Sequence, residues 1–192
     1  MDVLEAIHSR RSVGRMTQEE PSREVIEKLL DAAVQAPNHH VTLPWRFFVM
    51  TGDARSRFGD AVAESLRPKL ADLDEERREG VLADERRKPL RSPVLIAVGV
   101  RHDPEIKATP VEDLQACSAA IQNLLLAAHA EGLAAVWRTG SGAYADSVKA
   151  HFGLAPEDEI AGFVYLGYPN KDFVASMPPR QRSYAELTEW RN

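Results

Sequence analysis

The segment from Val111 to Glu131 constrains the fold of this 192-residue chain most strongly. It is apolar nearly all round from Leu114 onward, and Gly132 follows where a helix-terminating glycine belongs. On either side of it in sequence, Pro93 to Val100 and Ile160 to Leu166 are continuously apolar, as strands covered on both faces are. The sequence therefore predicts a central buried helix packed against core strands.

Other periodic segments predict the remaining elements. A helical stripe with Ser22 as its N-cap is expected to end before Pro37. Further elements are predicted as helices over Val3–His8, Ala54–Leu66 and Ser147–Phe152 and as strands over Trp45–Met50 and Ala134–Arg138. Long helices around a few strands give an α+β or layered α/β architecture. Length, scattered glycine and proline, and the lack of repeats favour one domain over residues 1–192.

The stretch from Lys69 to Arg91 has a different composition, with seven acidic and seven basic residues and few large apolar ones. We predict a charged helical excursion here. It is either a flap that covers a substrate or a solvated face, and the solvated face is the favoured interpretation.

Composition excludes several classes of function. The chain has 24 basic and 29 acidic side chains, a formal charge of −5, and therefore no cationic field for nucleic acid. The longest apolar run, Ala119 to Ala128, is too short to span a bilayer. The first residues show no signal peptide, so we expect a cytoplasmic protein. The single cysteine, Cys117, is expected to be a small buried hydrophobe.

Two motifs concentrate polar groups. Ser9 to Arg15 holds three arginines and two serines, which suits a single phosphate group; surface arginines around a turn are the alternative. Ala36 to Phe48 contains a proline-bracketed loop with Asn38, His39 and His40, which can hold polar groups over a planar ligand. No metal site is expected, because adjacent histidines point in different directions and the other histidines are isolated in sequence.

A third motif is the glycine-containing loop that follows the strand over Ala134–Arg138. Gly140 to Ala145 formally matches the dinucleotide fingerprint, but too little chain follows to complete a βαβαβ unit. The signatures of the common serine hydrolases, P-loop enzymes and zinc proteases are absent from the sequence. This pattern fits a protein whose chemistry belongs to an organic cofactor.

Four ordered motifs extend over almost the whole chain, namely Ser9–Ser12, Ala36–His39 with Pro44–Val49, Trp137–Gly140, and Gly162–Pro169. Together they resemble the nitroreductase family of FMN flavoproteins, and most closely its short bacterial NAD(P)H nitroreductase branch. The resemblance implies an α+β nitroreductase-like fold, with a central sheet packed among helices, in an intertwined homodimer that binds FMN at the subunit interface. It also implies ping-pong hydride transfer from NADH or NADPH, through FMN, to a nitroaromatic, quinone or similar acceptor. The flavin would carry this chemistry, with no catalytic side chain.

The resemblance also assigns cofactor-binding residues. Arg10, Arg11 and Ser12 match the segment that reaches the FMN phosphate, ribityl chain and pyrimidine edge. His39, with Gln35 beside it, matches a position supplied by the partner subunit. The segment beside the flavin is formed by Trp137, Arg138 and Thr139.

The sequence departs from the family pattern at three places. Gln35 stands at a position where close relatives can carry arginine. Gly14 stands where many members carry a cation shortly after the serine, and Arg15 is the candidate replacement. A clear C-terminal basic pair for the phosphate is missing, which leaves Lys171, Arg180 and Arg182 as outside candidates.

Two alternative functions stay open. One is a flavin-dependent dehalogenase or a flavin-fragmenting relative, which the excursion would serve as a lid. The other is a non-catalytic FMN carrier or sensor.

Overall fold

The computed structural model describes residues 1–180 and 182–191, and in it the chain forms one antiparallel sheet covered by helices on both faces. The α-helices are α1 (Val3–Ser9), α2 (Arg23–Ala33), α3 (Asp53–Leu66), α4 (Glu75–Arg87), α5 (Pro110–Ala130), α6 (Asp146–His151) and α7 (Lys171–Ala175), and the strands are β1 (Trp45–Met50), β2 (Val94–Val100), β3 (Ala134–Arg138) and β4 (Glu159–Gly167). The predicted helices and strands are therefore present, with ends that differ by only a few residues.

The sheet has the strand order β1-β2-β4-β3, and each neighbouring pair is antiparallel. This pairing decides for the α+β architecture over the layered α/β alternative. The stretch Gly140–Ala145 leads into a 3-10 turn and then α6, not into a crossover to a parallel strand. The fingerprint match is therefore not a Rossmann site.

Strand β2 divides the core in two, because its side chains alternate between the faces of the sheet. Ile96 and Val98 pack on the side of α2 and α5, whereas Leu95 and Ala97 pack on the side of α3 and α6. Cys117 of α5 is fully buried in the first core, and burial raises the pKa of its thiol to about 12. The thiol is therefore held in its unreactive protonated form.

Helix α5 has well-defined ends. Thr109 and Glu112 form a capping box with Pro110 in the first turn, and Gly132 follows the C-terminus with a φ of +76°. A helix of this length spans about 30 Å, so its two ends lie on different sides of the molecule.

Helix α4 packs along α3 within the charged excursion. Leu82 of α4 is fully buried, and a Cβ on Gly59 of α3 would lie 2.5 Å from the Arg86 carbonyl oxygen, so the two backbones are in close contact. Among the described residues, no helix is long and apolar enough to cross a lipid bilayer.

Candidate functional site

The segment 10–16, which follows α1, runs beside strand β3. Ser12 forms a parallel bridge with Ala135, and Met16 forms an antiparallel bridge with Pro169, just beyond β4. These contacts place the Arg–Arg–Ser segment close to the end of β3, where Trp137–Thr139 lie. Two motifs that lie far apart in the sequence thus become neighbours.

Arg10 lies in a cluster of cations. Its Nε and Nη1 atoms are shielded from solvent and have no hydrogen-bond partner among the described residues. Burial lowers the pKa of Arg10, and the nearby charges of Arg180 and Arg182 lower it further. Because desolvated cations without carboxylates repel one another, this N-terminal arginine cluster (Arg10, Arg180 and Arg182) is suited to an anion such as phosphate.

Backbone carbonyls hold Arg180 beside Arg10. Its Nη1 atom donates to the Arg10 carbonyl at 3.1 Å, and its Nη2 atom donates to the Ile7 carbonyl at 2.9 Å. Two of the three C-terminal candidates are therefore near the predicted phosphate segment, whereas Lys171 lies exposed at the start of α7. The sequence did not show this because it does not reveal how the C-terminal segment returns to α1.

The other polar residues of the segment are distributed differently. Arg11 donates through Nη1 to the Pro178 carbonyl at 2.7 Å and so ties the two terminal segments together. The Arg15 guanidinium lies 5.1 Å from the centre of the Phe173 ring. Ser12 is exposed, which leaves its hydroxyl accessible to a ligand.

Two adjoining cavities lie next to this segment. The inner cavity, of about 430 Å³, lies between the end of β3 and the end of the excursion, and residues such as Trp137, Arg138, Thr139, Lys88 and Arg91 line it. The outer cavity, of about 670 Å³, is lined by Ser12 and Gly14 among others. Arg91 and Arg138 line both, so the cavities adjoin at these two guanidinium groups, and each has a size typical for a small-molecule site.

A close packing contact fixes Trp137 at this site. Its Nε1 donates to the Ala161 carbonyl at 3.1 Å, and a Cβ on Gly162 would lie only 2.2 Å from the same nitrogen. Since only glycine leaves room for the indole, Gly162 determines the orientation of Trp137. Sequence reasoning included Gly162 in a motif but did not identify this role.

His39 lies apart from the arginine cluster, and Gln35, just beyond α2, donates through Nε2 to the Asp31 carbonyl at 3.3 Å. His39 Nε2 is 3.9 Å from a carboxylate oxygen of Glu112, in the first turn of α5. Ser9, next to Arg10, contacts His129 at 2.7 Å, in the last turn of α5. These contacts are separated by about 25 Å of helix axis, so one chain does not bring the two groups together.

Two histidines that look isolated in the sequence have partners in the fold. His102 Nδ1 is 3.0 Å from the carboxylate of Asp113, and His129 Nε2 is 2.7 Å from the Ser9 hydroxyl. That hydroxyl donates its one proton to the Glu5 carbonyl, so the His129 ring N–H donates to Ser9. Ser9 is therefore not an activated nucleophile. Among residues 1–180 and 182–191, no group of three or more His, Cys, Asp or Glu is placed to hold a metal.

Comparison with known proteins identifies the class. The family model described as "Nitroreductase family" matches residues 7–168. The chain therefore belongs to the nitroreductase family.

Individual relatives agree with this. The Escherichia coli K12 protein YdjA, provisionally named an NAD(P)H nitroreductase, is 31% identical over 169 residues, which cover 88% of this chain and 89% of that protein. A nitroreductase-like family protein from Bacillus cereus has a similar structure, with a TM-score of 0.83, 28% identity, and coverage of 100% and 96% of the two chains. A provisionally named nitroreductase from Desulfovibrio desulfuricans, solved with FMN, has a TM-score of 0.74, 29% identity, and coverage of 100% and 98%. The predicted nitroreductase-like fold is thereby confirmed.

Proposed function

We propose that this protein is an FMN-dependent NAD(P)H oxidoreductase of the nitroreductase type. The observation that carries the proposal is the guanidinium of Arg10, whose shielded Nε and Nη1 atoms have no hydrogen-bond partner among the described residues, in a segment of a nitroreductase-family chain whose Ser12 and Gly14 line a cavity. A flavin mononucleotide has the two parts that such a site needs, a phosphate for the arginine cluster and a flat ring for the cavity. The FMN complex of the similar Desulfovibrio protein supports the same cofactor.

In this proposal each predicted residue has a definite task. Arg10, with Arg180, holds the phosphate, and the Ser12 hydroxyl donates to it. Trp137, Arg138 and Thr139 line the cavity for the ring. Arg11 acts indirectly, because its bond to Pro178 keeps the C-terminal segment in place.

The complete site would require a homodimer. His39 is kept from the arginine cluster by the length of α5, so only a second chain can bring it to that cluster, and we propose that Gln35 comes with it. The loop that carries His39 supports this, because its apolar residues Val41 and Leu43 are exposed and have left-handed backbone angles. Such strain in non-glycine residues persists only where surrounding contacts stabilise it.

Bound FMN would accept a hydride from NADH or NADPH and then deliver electrons to a nitroaromatic, quinone or similar acceptor in a ping-pong sequence. The described side chains of the inner cavity include no histidine, and Glu85 is paired with Lys88. Burial raises the pKa of Tyr165, so its phenol is a weaker acid than an exposed tyrosine. We therefore propose that solvent supplies the protons and that no side chain acts as an acid or base. A cytoplasmic location is proposed with this function, because the cytoplasm supplies NAD(P)H.

The visible spectrum of the purified protein tests the cofactor. We expect flavin absorbance, one FMN released per chain on acid treatment, and bleaching after anaerobic mixing with NADH or NADPH. Parallel double-reciprocal plots with a nitroarene would support the ping-pong order. A colourless protein that stays colourless after incubation with FMN and desalting would overturn the proposal.

Anaerobic assays of the same purified protein separate the two alternatives. A non-catalytic carrier or sensor would hold FMN that stays oxidised with excess NADH and NADPH. A dehalogenase would consume a halogenated substrate anaerobically and leave the nitroarene largely unreduced.

A further inference from the structure

The end of the charged excursion carries two ion pairs of the same spacing in different settings. Arg87 pairs with Asp84, and their side chains are 71% and 68% exposed. Lys88 pairs with Glu85, and there the carboxylate side chain is only 16% exposed. Of these two pairs, it is the second that lines the inner cavity. The excursion therefore contributes a charged wall to this cavity at the point where α4 ends.

The charges around the inner cavity are unbalanced. The charged residues among its described lining are three cations and one carboxylate, namely Lys88, Arg91, Arg138 and Glu85. Glu85 is paired with Lys88, and no carboxylate in the described part of the chain lies within ion-pair distance of Arg91. The pKa of Tyr165 is raised by burial, lowered by Arg138 and Arg91, and raised by Glu85, so these charges act on one wall of the cavity. The cavity therefore has an excess of positive charge.

The uncharged part of the lining is rich in aromatic rings, which belong to Phe58, Trp137, Phe163 and Tyr165. In the proposed function an electron acceptor must reach the flavin ring, so it binds in or beside this cavity. A flat acceptor can pack against aromatic side chains. A charged substituent on that acceptor would then meet the wall at the end of α4.

We propose that Glu85, Lys88 and Arg91 select the electron acceptor and favour aromatic acceptors that carry a carboxylate or a sulfonate. The inference rests on the proposed function and names its substrate class. Arg91 offers a planar fork that matches the oxygens of such an anion. Lys88 supplies a second cation, and Glu85 offsets part of its charge. Because the wall is partly shielded from solvent, its charges act on a ligand more strongly than exposed ones do.

Binding to the oxidised holoenzyme, without NADH or NADPH, tests the selection. The probes are 4-nitrobenzoate and its neutral analogue 4-nitrobenzamide, which have nearly the same shape and differ in charge. We expect the wild-type protein to bind the anion about tenfold more tightly, as measured by isothermal titration calorimetry. The ratio of kcat/KM for the two probes should favour the anion in the same direction.

Two variants of the ion pair should change this ratio in opposite directions. Lys88→Gln removes a cation and leaves Glu85 unpaired, so the preference for the anion should fall about fivefold. Glu85→Gln removes the only carboxylate among the described lining residues, so the preference should rise by about the same factor. Both variants should keep one FMN per chain.

The exposed pair provides matched controls. Arg87→Gln and Asp84→Asn change the net charge by the same amounts on the same helix, and both should keep the wild-type ratio. Equal affinity of the wild-type protein for the two probes, or one ratio shared by the wild-type protein and all four variants, would overturn this inference. The proposed function would still stand in that case if NADH or NADPH supported reduction of 4-nitrobenzamide. A holoenzyme that reduces neither probe with either donor would overturn the proposed function, whatever its binding ratio.

Discussion

Two arginine-rich regions of this molecule place their charges in opposite settings. In the α3–α4 network, Arg67 and Arg86 pair with Glu64 and Glu79, at nitrogen–oxygen distances between 2.9 and 3.6 Å. In the N-terminal arginine cluster, two shielded nitrogens of Arg10 have no hydrogen-bond partner in the described part of the chain, and the charges of Arg180 and Arg182 lower the pKa of Arg10. The first region is satisfied within the chain, and the second needs something from outside it.

The difference shows which arginines are candidates for function. Surface ion pairs contribute little to stability, because solvent screens them and long side chains lose entropy when they pair. A desolvated cation without a counter-charge is costly for the fold, so its persistence calls for a ligand. The α3–α4 network should therefore respond to mutation through stability alone, and the N-terminal cluster through the loss of FMN.

The largest expected effect is on the packing of α4. Leu82→Ala should destabilise the protein by about 2–5 kcal/mol in chemical denaturation, because it leaves a cavity where a fully buried side chain was. Val81→Ala, on a more exposed position of the same helix, should cost less than about 0.5 kcal/mol. Folded Leu82→Ala protein should still contain one FMN per chain. Equal losses for the two variants would show that α4 is not packed as described.

The next effect is on cofactor affinity. Arg10→Gln should weaken FMN binding about tenfold or more, since a charge-assisted contact contributes about 1.5–3 kcal/mol. The FMN-free variant should melt no lower than FMN-free wild type, because an uncompensated cation has been removed. Fluorescence titration with FMN measures the affinity, and Arg23→Gln, an exposed arginine paired with Glu27, is the control. Wild-type affinity in Arg10→Gln would remove Arg10 from the site.

Much of the fold was predictable because its signals are local. The all-round apolar character of α5, the cap at Thr109 and the glycine at Gly132 all lie within one stretch of sequence. The alternation that divides the core at β2 likewise belongs to a single strand. The charged excursion was predicted to be helical, but its only fully buried large side chain, Leu82, was not distinguishable from its neighbours, since periodicity is weak where nearly every residue is charged.

The site was less predictable because it depends on distant contacts. The Arg–Arg–Ser segment was identified by composition, yet the approach of Arg180 depends on a chain path that no local pattern encodes. Arg91 lies in a stretch with seven basic residues, and only the cavity distinguishes it from the rest. The separation of His39 from Arg10 follows from the length and position of α5, which become clear only in three dimensions.

A smaller effect is expected in the α3–α4 network. Arg86→Gln removes one cation from a set of partly exposed pairs, and we expect the Tm to fall by no more than about 4 °C. The difference from wild type should shrink in high salt, because screening weakens the pairs that the variant lacks. FMN content should not change. A loss of FMN in this variant would show that the network supports the cofactor and would remove the contrast between the two regions.

The smallest effect concerns pH and returns to the N-terminal cluster. Burial, followed by the charge of Arg10, lowers the pKa of His129, while Glu5 opposes the shift. Just below the ordinary histidine pKa of about 6.5, His129 therefore binds a proton more readily in the unfolded chain than in the folded one. The contribution of neutral His129 to stability is present above that pH and is lost as the pH falls. In FMN-free protein, His129→Gln should reduce the fall in Tm between about pH 7 and pH 5, whereas His8→Gln, exposed on α1, should keep the wild-type slope. An equal fall in Tm for wild type, His129→Gln and His8→Gln would mean that the fold does not lower the pKa of His129. The charge of Arg10 would then be better screened than its burial implies.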